Sequence, residues 1–259
     1  MKIGFFDSGL GGLTVFNKVM KNIKADYIYL ADNKNSPYGI KTKKEVVSYA
    51  KKNVQTLVDI GCEIIVIACN TATSVAIDDL RKMYKNICII GIEPAVKVAV
   101  CENNLSKKIF VSATTMTLKE KKLNELIKKL GAENMVEKIA LDKLVKFAES
   151  GDTSNDEVER YLENKFKDYD LNQYSHLVLG CTHFPLFKDQ IKKVLKNNIK
   201  VIDGSDGIVK NLKTKIINKG LAENDIMTVS LLLTKESNTF VENFKRISGI
   251  ENVAIEVIN

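Results

Sequence analysis

The sequence predicts an α/β protein with two similar units, each containing a sheet of parallel strands. Three observations lead to this fold class: short apolar runs alternate with longer amphipathic segments, glycines follow several of those segments, and one strand-and-loop stretch has a counterpart later in the chain. The 259 residues are 45% hydrophobic and 27% charged, as in an ordinary soluble domain. This composition excludes wholesale disorder and leaves ample apolar material for a core.

Short and nearly continuous apolar runs predict parallel strands that are covered on both faces of their sheet. The runs that fit this description are Ile3–Phe6, Tyr27–Leu30, Ile64–Ala68, Ile87–Ile90, Ile109–Ala113, His176–Leu179, Lys200–Ile202 and Val229–Leu233. Amphipathic segments lie between them. Strands that alternate with helices in this way indicate βαβ units and a parallel sheet.

The clearest helical segment is Thr42–Ile60, in which apolar residues recur at a spacing of three or four. Gly61 follows it and is expected to cap its C-terminus. Two later segments repeat this arrangement, each followed by a glycine: Leu123–Leu130 with Gly131, and Ile208–Ile217 with Gly220.

One stretch of the chain has an internal counterpart. Both copies contain an apolar strand, a small residue, a cysteine and then a hydroxyl-bearing residue within two positions: Ile64–Thr71 and His176–His183. Helical patterns follow at Ser74–Tyr84 and Leu186–Lys196. Cys69 and Cys181 thus lie at the ends of two equivalent strands. This is what we expect of a pair of domains related by pseudo-twofold symmetry.

The net charge of +7 raises the question of nucleic-acid binding, but the kind of basic residue argues against it. Arginine, which recognises bases and phosphates through two parallel hydrogen bonds, occurs only at Arg81, Arg160 and Arg246. The other 36 basic residues are lysines, and their runs are broken by acidic residues, as on solvated helix faces. We therefore expect no nucleic-acid partner.

Membrane insertion and secretion are not expected either. No stretch approaches the length of about 18 consecutive apolar residues that a membrane-spanning helix needs. The apolar run at the N-terminus is short and ends at Asp7, whereas a signal peptide has a longer apolar region. We expect no membrane partner and a cytoplasmic location.

The five cysteines form no CxxC pair, and their number is odd, so a disulfide framework is not expected. Cys62, Cys88 and Cys101 lie in or beside apolar stretches, which is typical of small buried hydrophobic residues. Cys69 and Cys181 lie instead in polar loops directly after predicted strands. Since a helix N-terminus lowers the pKa of a neighbouring thiol, we predict that these two cysteines are functional.

No metal or nucleotide site is predicted. The only histidines are His176, expected to be structural, and His183, which with Cys181 supplies too few ligands for zinc. The turn Gly9–Gly12 matches neither the dinucleotide fingerprint nor the P-loop. Its backbone amides are suited to a carboxylate or simply to a tight turn.

Two opposed thiols suit inversion at a carbon centre, because one can remove a proton from one face while the other delivers a proton to the opposite face. Nucleophilic catalysis would need only one of them. The loops contain five motifs in order: DSGLGGLTV (Asp7–Val15), PYG (Pro37–Gly39), ACNTAT (Ala68–Thr73), GIEPA (Gly91–Ala95) and LGCTHFP (Leu179–Pro185). In these motifs the chain resembles the glutamate racemases of the aspartate/glutamate racemase family.

The resemblance implies two α/β domains with the active site in the cleft between them, no cofactor and no metal. The implied reaction interconverts L-glutamate and D-glutamate and supplies D-glutamate for peptidoglycan synthesis, in a cytoplasmic homodimer. Cys69 and Cys181 would be the acid/base thiols, assisted by Asp7 and His183, and Glu149 matches a family glutamate near the second thiol. The residues implied to bind the substrate are Asp7, Ser8, Tyr38, Gly39, Asn70, Thr71, Thr182 and His183.

The family chain usually returns to its first domain at the C-terminus. We therefore expect one domain of residues 1–97 plus 208–259 and a second of residues 98–207. Two segments depart from the family pattern. Asn33–Ser36 lacks the arginine that usually precedes PYG, and Met116 and Glu120 replace the Gly and Ser of a Thr-x-Gly-Thr-x-x-Ser element. Neither departure removes a predicted catalytic residue.

The choice of substrate depends on one residue. Related aspartate racemases typically carry Glu at the position of His183, so His183 favours glutamate. The alternative is another enzyme with a pair of cysteines, such as an aspartate or hydantoin racemase or a decarboxylase. A non-catalytic binding module would need only one such loop.

Overall fold

The computed structural model describes residues 1–103, 107–151, 155–196 and 199–258. The chain divides into two compact units, the first comprising Met1–Ile92 and Ser205–Asn259 and the second Glu93–Gly204. Each unit contains a parallel sheet with helices, so the predicted fold class is confirmed. The boundaries of the two units lie a few residues from the expected domain boundaries at 97 and 207. That each unit is a separate domain stays a prediction.

The strands, in chain order, are β1 (Lys2–Asp7), β2 (Asp26–Ala31), β3 (Ile64–Ile67), β4 (Cys88–Gly91), β5 (Lys108–Ala113), β6 (Val136–Ala140), β7 (Tyr174–Leu179), β8 (Lys200–Asp203), β9 (Thr228–Leu233) and β10 (Ala254–Val257). The helices are α1 (Leu13–Met20), α2 (Lys43–Asp59), α3 (Asn70–Met83), α4 (Val96–Glu102), α5 (Thr115–Lys119), α6 (Lys121–Lys129), α7 (Asp142–Ser150), α8 (Asn155–Phe166), α9 (Lys188–Val194), α10 (Ser205–Asn218) and α11 (Asn238–Ser248).

The two sheets share a strand order. The first is β10-β9-β2-β1-β3-β4 and the second is β6-β5-β7-β8, so in each unit the first strand lies between the second and the third. β3 and β7, which precede the two predicted catalytic cysteines, therefore occupy the same position in their sheets. The C-terminal segment extends the first sheet, because β9 pairs in parallel with β2 and β10 with β9.

Local sequence signals explain the ends of helix α2. Thr42 caps its N-terminus by accepting a hydrogen bond from the Glu45 amide, and the Glu45 carboxylate accepts one from the Thr42 amide, which forms a capping box. Gly61 follows the helix with φ of +85°, a left-handed conformation that favours glycine.

The core of the first unit fills both faces of its sheet. On one face, Phe5 of β1 packs with Phe16 of α1, whose ring centroid is 5.0 Å away, and α10 and α11 complete this cluster. On the other face, a Cβ at Gly4 would lie 3.0 Å from a methyl group of Leu57 in α2. Helix α2 therefore packs directly on β1 where the strand has no side chain.

The second unit also has an apolar cluster on each face of its sheet. Alternate residues of β5 point to opposite sides: Phe110 joins the cluster formed with α7, α8 and α9, whereas Ile109 and Val111 join the cluster formed with α4 and α6. The ring of Phe110 stacks on that of Tyr174 with centroids 3.6 Å apart. Covering of both faces explains the continuous apolar runs of these strands.

Two strands are absent from the sequence-based assignment, and both lie at sheet edges. β6 contains Glu137 and Lys138, and β10 is exposed along its whole length. An edge strand does not need apolar residues on both faces, and these two lack the apolar run that identified the other eight, including the edge strands β4 and β8. No helix within the described ranges is long and apolar enough to cross a membrane.

Candidate active site

Cys69 lies two residues beyond β3, at the N-cap position of the 14-residue helix α3. Its side chain is buried, and its sulfur accepts a hydrogen bond from the backbone N–H of Ala72 at 3.4 Å. The Ser8 hydroxyl oxygen lies 3.7 Å from the same sulfur. Because the N-terminal amides of a helix favour negative charge, this position stabilises a thiolate.

Asp7 is the last residue of β1, and Ser8 begins the turn that follows it. Asp7 is fully buried, and its Oδ1 accepts a hydrogen bond from the Gly9 amide at 2.9 Å. A Cβ at Gly12 would lie 2.6 Å from the Asp7 Cβ and from the Tyr29 hydroxyl. The glycine-rich turn therefore serves close packing, since any side chain at Gly12 would displace Asp7.

Tyr38 and Gly39 lie in a short 3₁₀ turn, Tyr38–Ile40, that follows β2. The Tyr38 hydroxyl is buried and donates a hydrogen bond to Oδ2 of Asp32 at 2.5 Å. Burial, and then the charge of Asp32 and the hydrogen bond to it, raise the pKa of Tyr38 far above its ordinary value; the negative charges of Cys69 and Asp7 add to the increase. The phenol therefore keeps its proton, and its turn lies near the first thiol.

Asn70 and Thr71 begin helix α3 and are both buried. Within the described residues, neither Nδ2 nor Oδ1 of Asn70 has a hydrogen-bond partner. A buried amide without partners is costly and rare in folded proteins. Directly beside Cys69, it offers one donor group and one acceptor to a ligand.

In the second unit, Cys181 lies two residues beyond β7 and its side chain is buried. Its sulfur is 3.6 Å from Nδ1 of His183, and Nε2 of the same ring is 2.5 Å from Oε1 of Glu149 in α7. The imidazole thus lies between a thiol and a carboxylate. This is the arrangement in which a histidine exchanges a proton with one partner while the other partner orients it.

The electrostatic balance at His183 favours the imidazolium. Burial lowers the pKa of His183, but the hydrogen bonds to Cys181 and Glu149 and the negative charges of both groups outweigh it, so its pKa lies well above 6.5. A positively charged ring beside Cys181 stabilises negative charge on that sulfur.

The loop around Cys181 differs from that around Cys69 in one respect. The sequence predicted a helix over Leu186–Lys196, but a 3₁₀ turn over Phe184–Phe187 comes first and α9 begins at Lys188. The N-terminus of an α-helix therefore does not lie at Cys181. The prediction that the N-terminus of an α-helix lowers the pKa of this thiol is wrong. Pro185, which lacks an N–H group, occupies the first turn of that 3₁₀ segment.

The remaining predicted residue of this loop, Thr182, is buried.

The element Thr114–Glu120, which departs from the family pattern, keeps its two capping threonines: Thr114 caps α5 by accepting a hydrogen bond from the Thr117 amide. Met116 and Glu120, the departures from the family pattern, are partly exposed, so these substitutions leave the capping pair unchanged.

The other three cysteines lie outside these loops. Cys62 is buried, and burial raises its pKa to about 11, as suits an inert core residue. Cys88 is half-buried and its pKa is also raised by burial. Cys101 is exposed, so the prediction that it is a buried hydrophobic residue is wrong: the buried residues of α4 are Val96 and Ala99, and Cys101 faces away from them.

His176 lies at 5% exposure in β7, with its Nε2 3.2 Å from Glu102, which agrees with a structural role. Across the described part of the chain, no group of three or more His, Cys, Asp or Glu side chains is arranged to hold a metal ion. All five cysteines are free thiols.

The predicted site residues fall into two groups, one in each unit. Except for Glu149, which lies in α7, they follow the carboxyl ends of parallel strands, where ligands bind in open α/β sheets. The first unit holds Asp7, Ser8, Tyr38, Gly39, Cys69, Asn70 and Thr71, and the second holds Glu149, Cys181, Thr182 and His183. One buried residue was not assigned from the sequence: Asp32, which binds the Tyr38 hydroxyl. The sequence signal that could have identified Asp32 is its position, directly after a buried strand and shortly before the PYG motif.

Comparisons with known proteins agree with these features. A model of the Asp/Glu/Hydantoin racemase family matches residues 8–212. The glutamate racemase of Lachnospira eligens is 48% identical over 223 residues, which cover 85% of this chain and 84% of that protein. The glutamate racemase of Clostridium botulinum is 42% identical over 248 residues, which cover 95% and 96% of the two chains.

Among solved structures, the crystal structure of glutamate racemase from Francisella tularensis in complex with D-glutamate superposes with a TM-score of 0.88. Its sequence identity is 27%, over 100% of this chain and 97% of that chain. The match of the family model over most of the chain, together with these relatives, shows that the chain belongs to the Asp/Glu/Hydantoin racemase family.

Proposed function

We propose that this protein is a glutamate racemase that interconverts L-glutamate and D-glutamate by proton transfer at Cα between the substrate and two thiols. The observation that carries this proposal is that Cys69 and Cys181 are both buried free thiols with a polar side chain next to the sulfur: Ser8 at 3.7 Å and His183 at 3.6 Å. Each cysteine is thus equipped to exist as a base and as an acid.

The proton balance is simple. The Cys181 thiolate removes the α-proton of L-glutamate, which leaves the electron pair on Cα and in the adjacent carboxylate. The Cys69 thiol then donates its proton to the opposite face, so D-glutamate leaves with the Cys69 thiolate and the Cys181 thiol behind. The reverse reaction exchanges the two roles. No oxidant, reductant or cofactor takes part.

The neighbouring side chains have distinct roles in this scheme. His183, held by Glu149, stabilises negative charge on Cys181 and accepts or returns a proton. Asp7 and Ser8 assist Cys69 from the end of β1. These groups lie at hydrogen-bond range or slightly beyond it, as is common before a substrate is bound.

Substrate binding is assigned to the first turn of α3 and to the predicted loop residues of both units. The side-chain amide of Asn70, which has no hydrogen-bond partner among the described residues, supplies a donor and an acceptor for the amino-acid head group. The positive end of the α3 dipole favours its carboxylate. The other ligands in this proposal are Ser8, Tyr38, Gly39, Thr71, Thr182 and His183. These groups stabilise the charge that develops when the α-proton leaves.

We propose glutamate rather than aspartate as the substrate because a positively charged His183 balances the two carboxylates of the substrate. Aspartate racemases have a Glu side chain at this position, and its negative charge would repel the substrate. The names of the relatives with 42% to 48% identity support the same choice. In the cell, this activity supplies D-glutamate for peptidoglycan.

Circular dichroism that follows L-glutamate and L-aspartate in parallel, with no added cofactor, tests the proposal. We expect loss of optical rotation with L-glutamate at a rate about a hundredfold above that with L-aspartate, the upper end of what one methylene discriminates in a well-matched pocket. A comparable rate with L-aspartate would overturn the substrate and leave the thiol chemistry in place. No loss with either would overturn the proposed function.

The protein is further proposed to act as a cytoplasmic homodimer. The cytoplasm is supported by the free cysteines, because a reducing compartment keeps thiols such as Cys69 and Cys181 from oxidising. The dimer rests on the family resemblance alone. Cell fractionation and light scattering on the purified protein test these two points separately from the activity.

A further inference from the structure

A hydrogen-bond network surrounds the carboxylate of Asp32, directly after β2. Asp32 is 1% exposed. Its Oδ2 accepts hydrogen bonds from the Tyr38 hydroxyl at 2.5 Å and from Asn53 Nδ2 at 3.2 Å. Its Oδ1 accepts one from the Thr234 hydroxyl at 2.8 Å, and Asn35 Nδ2 contacts both oxygens at 2.9 and 3.1 Å. The carboxylate thus joins a substrate loop, a helix and the C-terminal segment.

We propose that Asp32 is a positioning residue for the racemase reaction, which holds the Tyr38–Gly39 turn next to Cys69 while Thr234 fixes its carboxylate from the end of β9. This inference rests on the proposed function. It extends that function to two residues that do not touch the reacting atoms.

The chemistry of the network requires a carboxylate. Three donors converge on Asp32 Oδ2, and an ionised carboxylate accepts on both oxygens, whereas an amide has only one accepting oxygen. A buried charge is tolerated because these bonds replace its hydration. The pKa of Tyr38 is raised by burial and by Asp32, so the phenol is a fixed donor to Asp32 and does not exchange protons with the substrate.

The C-terminal segment contributes through adjacent residues. Lys235 exchanges two hydrogen bonds with the Asn33 side chain: Asn33 Nδ2 donates to the Lys235 carbonyl at 2.7 Å, and the Lys235 amide donates to Asn33 Oδ1 at 3.0 Å. The Lys34 amide also donates to the Thr234 hydroxyl at 3.1 Å. The loop that leads to Tyr38 is therefore held along its first residues by the two residues that directly follow β9.

The same two strands provide a matched control. At their opposite ends, the Thr228 hydroxyl donates to Asp26 Oδ1 at 2.8 Å, a bond of the same length between the same residue types as that of Thr234 with Asp32. β2 and β9 pair in register from Asp26 with Thr228 to Ala31 with Leu233. Asp26 is half-buried and Thr228 is exposed, and the pair lies at the ends of the strands that carry no predicted site residue.

The test compares kcat and KM for L-glutamate in Asp32→Asn, Thr234→Val, Asp26→Asn and Thr228→Val. We expect Asp32→Asn to raise KM about tenfold or more, as for loss of a hydrogen bond to a charged group. Its kcat should change less, and the pH dependence of kcat should stay that of the wild type. Thr234→Val should raise KM by a smaller factor, and both control variants should match the wild type.

Coupling to Tyr38 separates positioning from a general structural effect. In the Tyr38→Phe background, Asp32→Asn should add little further increase in KM, because residues that act through one contact are not additive. Hydrogen–deuterium exchange should be faster over residues 33–41 in Asp32→Asn and unchanged there in Asp26→Asn. Thermal melting identifies a variant that fails to fold, and Thr234→Val then carries the comparison because it keeps the carboxylate.

Additive effects of Asp32→Asn and Tyr38→Phe, or equal effects of Asp32→Asn and Asp26→Asn, would overturn the proposal. A shifted pH dependence of kcat in Asp32→Asn would also overturn it, since Asp32 would then take part in proton transfer. If the wild type racemises no amino acid, the proposed function fails, and the exchange rates over residues 33–41 still decide whether Asp32 holds the loop.

Discussion

The loops around Cys69 and Cys181 start from the same sequence pattern and acquire different surroundings. Cys69 caps a 14-residue α-helix, and a backbone amide donates a hydrogen bond to its sulfur. Cys181 precedes a 3₁₀ turn, and its sulfur faces His183, which in turn contacts Glu149. The position of a strand in its sheet therefore sets where each thiol lies, whereas the following residues decide which charge stabilises it.

This difference has a mechanistic consequence. The helix amides at Cys69 are fixed dipoles that do not titrate, so their effect on the sulfur is independent of pH. The imidazolium at Cys181 carries a full charge that depends on pH. The two halves of the proposed site are thus unequal, although racemisation requires each to act as acid and base in turn.

The largest expected effect is removal of either thiol. Cys69→Ser and Cys181→Ser should each lower the rate of racemisation about a thousandfold or more, because a hydroxyl is a far weaker acid than a thiol and general acid–base catalysis is worth up to about 10⁴. Both directions should be lost together, since the equilibrium constant between enantiomers is one. Racemisation of L-glutamate followed by circular dichroism provides the measurement.

Cys62→Ser and Cys101→Ser are the matched controls, one buried and one exposed. Both should racemise at the wild-type rate, and only the buried variant should melt at a lower temperature. Wild-type activity in Cys69→Ser or Cys181→Ser would eliminate the two-thiol mechanism.

A smaller effect should separate the partners of the two thiols. His183→Asn should lower kcat/KM about a hundredfold, within the usual range for a general acid–base group. Ser8→Ala should lower it only about tenfold, because the amides of α3 continue to stabilise Cys69. Equal losses in the two variants, measured in parallel assays, would contradict the inequality of the two halves.

The smallest effect concerns stability and pH. The pKa of His183 lies above 6.5 in the folded protein, so the stability that its protonation contributes is complete below about pH 6.5 and is lost as pH rises through the folded value. Glu149→Gln removes one cause of the increase. The gap in melting temperature between wild type and Glu149→Gln should therefore be largest near pH 6 and narrow at higher pH. A difference in melting temperature that grows as pH rises would contradict the positive charge assigned to His183.

The sequence predicts every interior strand, together with the edge strands β4 and β8, and misses the edge strands β6 and β10. Strands such as β3 are covered on both faces, and their composition reports it, whereas β6 and β10 need few apolar residues at the edges of their sheets. The repeated cysteine loop was visible because both copies follow strands in the same sheet position.

Within the candidate site, residues in contiguous motifs were predictable and residues joined through space were not. Asp32 and Thr234 are about two hundred positions apart and become partners only because β9 pairs with β2. The 3₁₀ turn after Cys181 was missed because Leu186–Lys196 has helical spacing, although α9 begins only at Lys188. Neither a distant strand pairing nor a local change of helix type is encoded in periodicity alone.

The most direct test of the two-thiol mechanism is racemisation of L-glutamate in D₂O by protein dialysed against a chelator, with the products separated by enantiomer and analysed by mass spectrometry. Two thiols predict that D-glutamate carries deuterium at Cα from its first appearance, because Cys69 donates a solvent-derived deuteron. The remaining L-glutamate should stay protonated at early conversion. Two results would show that a single base acts on both faces and would contradict the two-thiol mechanism. One is deuterium in the recovered L-glutamate that appears as fast as D-glutamate forms. The other is protium retained at Cα of the D-glutamate product.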